Sequence, residues 1–454
     1  MTRGGDGTGA VGERPSIPRT REESELEQVE DALLDADVSY RRGTAQAALR
    51  HRDFRIVYFG SFASNIGTWM QNVVLGAYAF TLTHSGTYVA LLYFGQLGPL
   101  LFLSLWGGAL ADAVDRRRFL VATQIAQGLL SFGLAAVALS PHPSLVLLAA
   151  LVFAIGIANA LGAPGLSAIL PTLVEREDLP GAVSLMSTQM NLSRVIGPAV
   201  GGILYARFNV SLVFGLNAVT YVFAIVGLLW ARYARRAGGP PAEHGLARIL
   251  SGVRIARGDP FIRHILLTLA SFSFLSLAFV GLMPQVAQHA LGIDPKSTHY
   301  GILYASFGFG AALGAMTVGT VLASVDKVRL LRPGFAAFAL LLAGFALSRG
   351  PLVGDLAVGA LGYAYFVVVT SLSTLLQERV DDKRRGRVMA LWIMGFGGTV
   401  PLGVLAAGPF SDHFVREVLL VGAAWAVVLA AASGATRLVR ARGVEPGWMR
   451  DGPG

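Results

Sequence analysis

Arg194 is the residue whose placement most needs a reason. It stands in the run Asn191-Leu192-Ser193-Arg194-Val195-Ile196-Gly197-Pro198-Ala199-Val200-Gly201-Gly202, inside an apolar stretch that starts near Ala182. At about 1.5 Å rise per residue, a side chain about 12 residues into a helix lies near the middle of a bilayer. A charge at that depth is costly. It marks either a functional site or a group neutralised by backbone carbonyls at a kinked neighbour, where it organises packing. Pro198 bends the helix, and Gly197 and Gly201 form a small-xxx-small face for close helix packing.

A second constellation joins glycine, acid and arginine in Gly108 to Arg118, read as GALADAVDRRR. The glycine lets a helix end close to a neighbour. Asp112 can accept from a helix N-terminus or an arginine, and Arg116, Arg117 and Arg118 with Asp115 can pair across adjoining helices. Such a cluster can hold one conformation and release it in another, or it can simply fix topology. Because arginines alone would fix topology, the added Gly and Asp spacing favours a gate.

A third set is polar rather than charged. Ser61, Asn65, Thr68 and Asn72 recur at helical spacing in one apolar helix, and Tyr363, Phe366, Thr370, Ser373 and Gln377 in another. Gln96, Asn159 and Gln189 add further amides. Singly, each reads as an interhelical hydrogen-bonding group. As a set they suggest a large amphipathic cavity for bulky, partly apolar molecules.

Enzyme and nucleotide chemistry find little support. There are no cysteines, the eight histidines are scattered without metal spacing, and no phosphate-binding G-x-x-x-x-G-K-[ST] run occurs. Neither cofactor nor metal is expected. Of the 454 residues, 54% are hydrophobic and 14% charged, against about 25% charged in a soluble domain. No Asp or Glu lies between Asp53 and Asp112, Asp115 and Glu175, Asp178 and Glu243, or Asp259 and Asp294. Each gap holds one or two spans of the roughly 20 residues a bilayer needs. The net charge of +9 therefore reads as a topology signal, not a nucleic-acid patch.

The elements that must position these residues are about twelve membrane helices, beginning near Phe54, Tyr88, Phe119, Leu145, Ala182, Val210, Phe261, Tyr300, Leu330, Leu352, Arg387 and Val415. Pro164 and Pro171 are expected to kink or end the fourth. Arginines and lysines at 116–118, 327–329 and 379–387 alternate with loops lacking them, such as Thr83 to Thr87, which predicts both termini in the cytoplasm. The first fifty residues have no apolar signal core, so the first span would serve as an uncleaved signal. Residues 1–52 read as a tail, in which Leu26, Val29 and Leu33 form either a short amphipathic helix or incidental leucines in a disordered stretch. Residues 53–232 and 259–440 read as two six-helix bundles joined by a basic linker, 233–258, with a second tail at 441–454.

The two bundles share a weak repeat. Asp53-Phe54-Arg55 resembles Asp259-Pro260-Phe261-Ile262-Arg263, and Gly108, Asp115 and Arg118 align with Gly319, Asp326 and Arg329. A common offset at equivalent loops favours duplicated halves. These motifs resemble the major facilitator superfamily: Gly108 to Arg118 matches its loop signature, and Gly197 to Gly202 matches the GPxxGG signature of its exporters. The wording at Ser64 to Gln71 and Glu177 to Pro180 is similar to drug, macrolide and siderophore exporters grouped with the enterobactin exporter. The likeness covers about Phe54 to Leu438, with Ala113 and Asp115 where the pattern usually has Arg and Gly.

The resemblance implies an all-α fold of two bundles about a pseudo-two-fold axis, working as a monomer in the lipid bilayer of the cell membrane. It implies alternating access and export of a small-molecule substrate, commonly in exchange for protons. Coupling would fall to Asp112 or Glu378, because no predicted span carries a carboxylate near its centre. Import, lipid translocation or a non-transporting receptor remain alternatives for the same fold.

Overall fold

The computed structural model describes residues 42–113, 115–233 and 246–433, with the side chains of all but 104–113, 164, 167, 168, 246–249, 382 and 383. The Leu26–Leu33 stretch, residues 238–241 of the linker and the tail 441–454 lie outside the described residues, as does the side chain of Asp112. The described elements are helices, with no strand among them.

The helices begin where the sequence offers a cap. A short α1 (Ala45–Arg50) precedes α2 (Arg52–Thr83) and α3 (Gly86–Ala113). Then come α4 (Arg116–Val137), α5 (Leu145–Ile169), α6 (Leu179–Arg207) and α7 (Val210–Trp230). Side-chain oxygens of Asp115, Ser144 and Asn209 accept from the first-turn amides of α4, α5 and α7, satisfying donors that lipid cannot. The backbone of α5 stays helical past Pro164, and the expected break falls at a 3-10 turn, Leu170–Thr172.

The second half repeats the plan. After the amphipathic linker helix α8 (Leu246–Gly258) come α9 (Pro260–Ser276), α10 (Thr298–Gly319), α11 (Lys327–Leu347), α12 (Pro351–Arg379), α13 (Asp382–Ile393) and α14 (Thr399–Ala432). Asp259 and Asp326 cap α9 and α11. Asp115 and Asp326, aligned by the sequence repeat, thus perform the same capping task. Lys327 adds its ammonium to the carbonyls of Leu322, Ala323 and Val325.

Among the described residues, eight apolar stretches are long enough to cross a membrane. The expectation of twelve is compatible with these. The helices α2 and α6 carry polar residues, and α9 has 17 residues before the chain breaks into short turns ending in the π-helical Val286–Leu291. The stretch Arg384–Ala432 runs on through a non-helical Phe414. Exposure is inverted relative to a soluble protein: Val146, Val321 and Leu340 are 75 to 81% exposed, whereas Gln71, Ser131 and Asn217 are buried. An apolar exterior of this kind suits lipid.

Within the first half α2 packs on α6 and α7, α3 on α5, and α4 on α5 and α7; within the second, α10 packs on α12, and α14 on α9 and α11. The halves meet chiefly through α6 against α10 and α3 against α14. These contacts need glycine. A Cβ on Gly202 would lie 2.6 Å from Gly301 Cα, and one on Gly408 2.6 Å from Ala90 Cβ. Both lie toward the end of the bundle away from α1 and α8, called here the distal end. There Asp412 Oδ1 also accepts from the Gly86 amide at 2.6 Å, and Phe80 meets the His289 ring edge-on.

At the opposite end, α1 docks on the start of α6. Asp178 accepts from the Gly43 amide at 2.9 Å and pairs with His51 Nε2 at 2.8 Å. The Gly43 N–H and then His51 hold the Asp178 carboxyl below its ordinary value. A depressed carboxylate stabilises the docked state above its unfolded value of about 3.9, and that contribution is lost as pH falls through the lower, folded value. Asp178→Asn should therefore release residues 43–51 at pH 7, seen as faster amide exchange there. The native chain should show the same release only below about pH 3.9.

Candidate substrate-binding site

Three connected chambers surround Arg194 at the junction of the two halves. Pro198 has no amide to give the carbonyl four residues earlier, which is that of Arg194. Gly308 of α10 packs into this freed spot, where a Cβ would lie 2.6 Å from the Arg194 oxygen. On the other side of α6, Gly197 and Gly201 let α2 approach, their virtual Cβ atoms falling 2.6 Å from Trp69 Cβ and 2.9 Å from Met70 Cγ. The Gly-Pro motif therefore clamps α6 between α2 of its own half and α10 of the other.

The guanidinium itself lies between two aromatic faces. Its carbon is 5.2 Å from the Trp69 ring centre and 5.4 Å from that of Phe366, one ring from each half. Its Nε is buried without a hydrogen-bond partner. Cation–π attraction is stronger when desolvated, reaching about 2 kcal/mol, yet it leaves the positive charge uncompensated.

The chambers differ in chemistry. The first, about 330 Å³, is aromatic: Trp69, Tyr93, Tyr304, Tyr365, Phe366 and Trp392 line it. Tyr365 stacks with Phe307 at 5.9 Å and Phe396 at 6.3 Å, and Phe396 stacks with Trp392. The second, about 680 Å³, is polar and belongs mainly to the first half, with Asn65, Gln124, Asn159, Gln189 and Asn191 on its wall. A third, about 370 Å³, reaches Asn72 and Gln96. Irregular backbone borders this space: the broken continuation of α9 contributes Leu277, Val280 and Gly281, and the π-helical turn Met394–Gly398 contributes Phe396 and Gly397. Non-helical backbone at membrane depth is tolerated where it lines a cavity.

The polar stripe predicted for α2 divides into two jobs. Thr68 bonds Tyr221 at 3.2 Å, and Gln96 donates to Asn72, so these residues join helices while bordering the cavity. Asn65 and Asn159 line two chambers with no side-chain hydrogen bond among the described residues. Gln189 is buried on the wall of the polar chamber, donates from Nε2 to Met186 Sδ and leaves Oε1 buried without a partner. Ser61 is buried and lines none of the three chambers.

Of the α12 stripe, Phe366 reaches the site. Tyr363 is partly exposed against α10, and Thr370, Ser373 and Gln377 continue along α12 toward its C-terminal end, where Gln377 donates to Ser373 at 3.0 Å. None of these four lines the chambers. Glu378 is exposed at that end near Phe261 and Arg379.

In the loop cluster, Asp115 caps α4 through the Arg118 amide at 2.9 Å. Arg117 reaches the Leu229 carbonyl and lies 5.4 Å from the Tyr233 ring, contacts within its own half. Apart from Phe366, the aromatic wall is what sequence reasoning passed over, because Trp and Tyr in apolar runs look like ordinary lipid-facing or core residues. It also passed over Asp355, whose carboxylate pairs with His299 at 2.9 Å near the distal end.

A family model for transmembrane secretion effectors matches residues 43–445. The chain belongs to this family of the major facilitator superfamily. It is 30% identical over 343 residues to the enterobactin exporter EntS of Escherichia coli O1:K1, covering 75% of this chain and 81% of that one. The Citrobacter koseri enterobactin exporter is 29% identical over the same coverage. Among solved structures, the nucleoside transporter NupG superposes with a TM-score of 0.69 at 14% identity, covering 87% of this chain and all of that one. The chain is thus a multi-pass membrane transporter of the major facilitator type, and not an enzyme.

The split between structural and cavity-facing amides is testable. Asn217 is buried, donating to Gln71 Oε1 at 2.9 Å. Asn217→Ala leaves that acceptor unpaired and should cost about 1–2 kcal/mol of stability in detergent unfolding. Asn159→Ala should leave the unfolding midpoint unchanged and alter transport instead.

Proposed function

We propose that this protein is a secondary exporter of amphipathic small molecules of the siderophore class, loading them through an opening on the cytoplasmic side. One observation carries the proposal: a cavity between two halves is sealed at its distal end by glycine-mediated contact, while at the other end Arg117 reaches the Leu229 carbonyl and the Tyr233 ring of its own half. With both termini in the cytoplasm, as loop charge implies, that arrangement accepts cargo from inside the cell. The relatives' activity as enterobactin exporters supports the direction and the cargo class. Both walls of the cavity come from one chain, so a monomer suffices.

Proton exchange requires a carboxylate whose partners change between the two states. Asp412 meets this requirement, because it bonds the Gly86 amide across the seal that must open. Asp112 and Glu378 sit at the other end and would serve the opposite gate. The cation of Arg194 in the site adds a second means of coupling, since its neighbours change as the halves move.

The chain contains no cysteine, so a pair placed across the seal reports without background. In Ala90→Cys with Gly408→Cys, the Cβ atoms need to part by about 1 Å to reach disulfide geometry. Oxidation should abolish enterobactin efflux from cells lacking their own exporter, and dithiothreitol should restore it. Efflux that survives cross-linking, or cellular enterobactin that rises with expression, would contradict the proposal.

A further inference from the structure

Three chambers meet at one cation, and among the described residues no Asp or Glu lines any of them. Four described acids lie elsewhere with their own partners: Asp178 with His51 and Gly43, Asp259 with Arg379, Asp355 with His299, Asp412 with Gly86. The charge of Arg194 is therefore focused into a largely apolar space. Its Nε has no hydrogen-bond partner, and five residues earlier on the same helix Gln189 Oε1 is likewise buried and unpaired. A buried donor and a buried acceptor left unmade each cost free energy that a ligand recovers on binding.

Building on the exporter reading, we propose that the cargo is an organic anion with two dissimilar ends. Its acidic group binds Arg194. A planar, aromatic part enters the 330 Å³ chamber among Trp69, Tyr304, Tyr365 and Trp392, and a hydrogen-bonding part enters the 680 Å³ chamber facing Asn65, Asn159 and Gln189. The arginine supports a flat acid particularly well. A guanidinium plane pairs bidentately with a carboxylate or similar group, and the Trp69 and Phe366 rings that flank it offer faces for stacking. A cation would meet repulsion with no acid nearby to offset it, and a neutral molecule would leave the arginine unpaired. Because one flanking ring belongs to each half, an anion at Arg194 also alters the contact that links the halves at the site.

The test uses the full-length protein in lipid nanodiscs and equilibrium binding of three probes that share one ring system: 2-naphthoate, neutral 2-naphthamide and cationic 2-naphthylmethylammonium. The naphthoate should bind at least about tenfold tighter than the amide, the scale of a hydrogen bond to a charged group, and the ammonium should bind weakest. Arg194→Gln should bring naphthoate and amide to parity while the amide's own affinity is retained, which shows that the site is folded. Arg194→Lys should keep a reduced preference, since an ammonium lacks the fork. Parity among the three probes in the native protein overturns the proposal. So does an anion preference that survives in Arg194→Gln. If Arg194→Gln does not fold, the ranking by the native protein and by Arg194→Lys still decides. The assay measures no flux, so its failure is separate from failure of the export reading.

Discussion

The arrangement depends on the cost of keeping the Arg194 charge near the middle of a bilayer. Removing a cation from water is expensive, and the usual remedy is an adjacent carboxylate. Here the remedy is two aromatic faces and an open cavity. The rings soften the field of the charge without cancelling it. What remains is a site whose electrostatics is completed by what it binds, and that is a physical basis for selectivity in a wall that is otherwise mostly apolar.

The same helix supplies both the charge and the means of moving it. Pro198 frees the Arg194 carbonyl, and Gly197, Gly201 and Gly202 let α6 touch α2 and α10 at backbone distance. Backbone-to-backbone contact of this kind depends on van der Waals fit, not on a hydrophobic force, because lipid is as apolar as leucine. Such contacts are weak enough to separate and specific enough to re-form. Under the proposed export cycle they would suit a seal that opens, with the bond from the Gly86 amide to Asp412 adding direction to it.

Much of this was legible in the sequence. Loop charge and hydrophobic runs located the first ten helix starts to within a few residues, because capping residues such as Asp115, Ser144 and Asn209 stand where lipid forces every amide to find a partner, while the start expected near Val415 falls at the kink inside α14. The Gly-Pro motif and the depth of Arg194 pointed to the site. The sequence could not show that Trp69, Tyr93, Tyr304, Tyr365 and Trp392 converge, since they come from five separate helices. Nor could it tell Thr68 and Asn72, which find partners, from Asn65, which does not. The stripe on α12 shows the limit of periodicity. A shared face brings Phe366 to the cavity, while Thr370 and Gln377 on the same face lie beyond it because the chambers end first.

The central claim is that the halves exchange their points of contact about the Arg194 level. It is tested most directly by distances between spin labels, one pair at Ser85 and His413 and another at Arg118 and Arg385, in the cysteine-free background. The account predicts a short first distance and a long second one in the unliganded protein, with a second population on cycling in which the first lengthens as the second shortens. Two distances that change in the same direction, or a protein fixed in one arrangement while it transports, would contradict it.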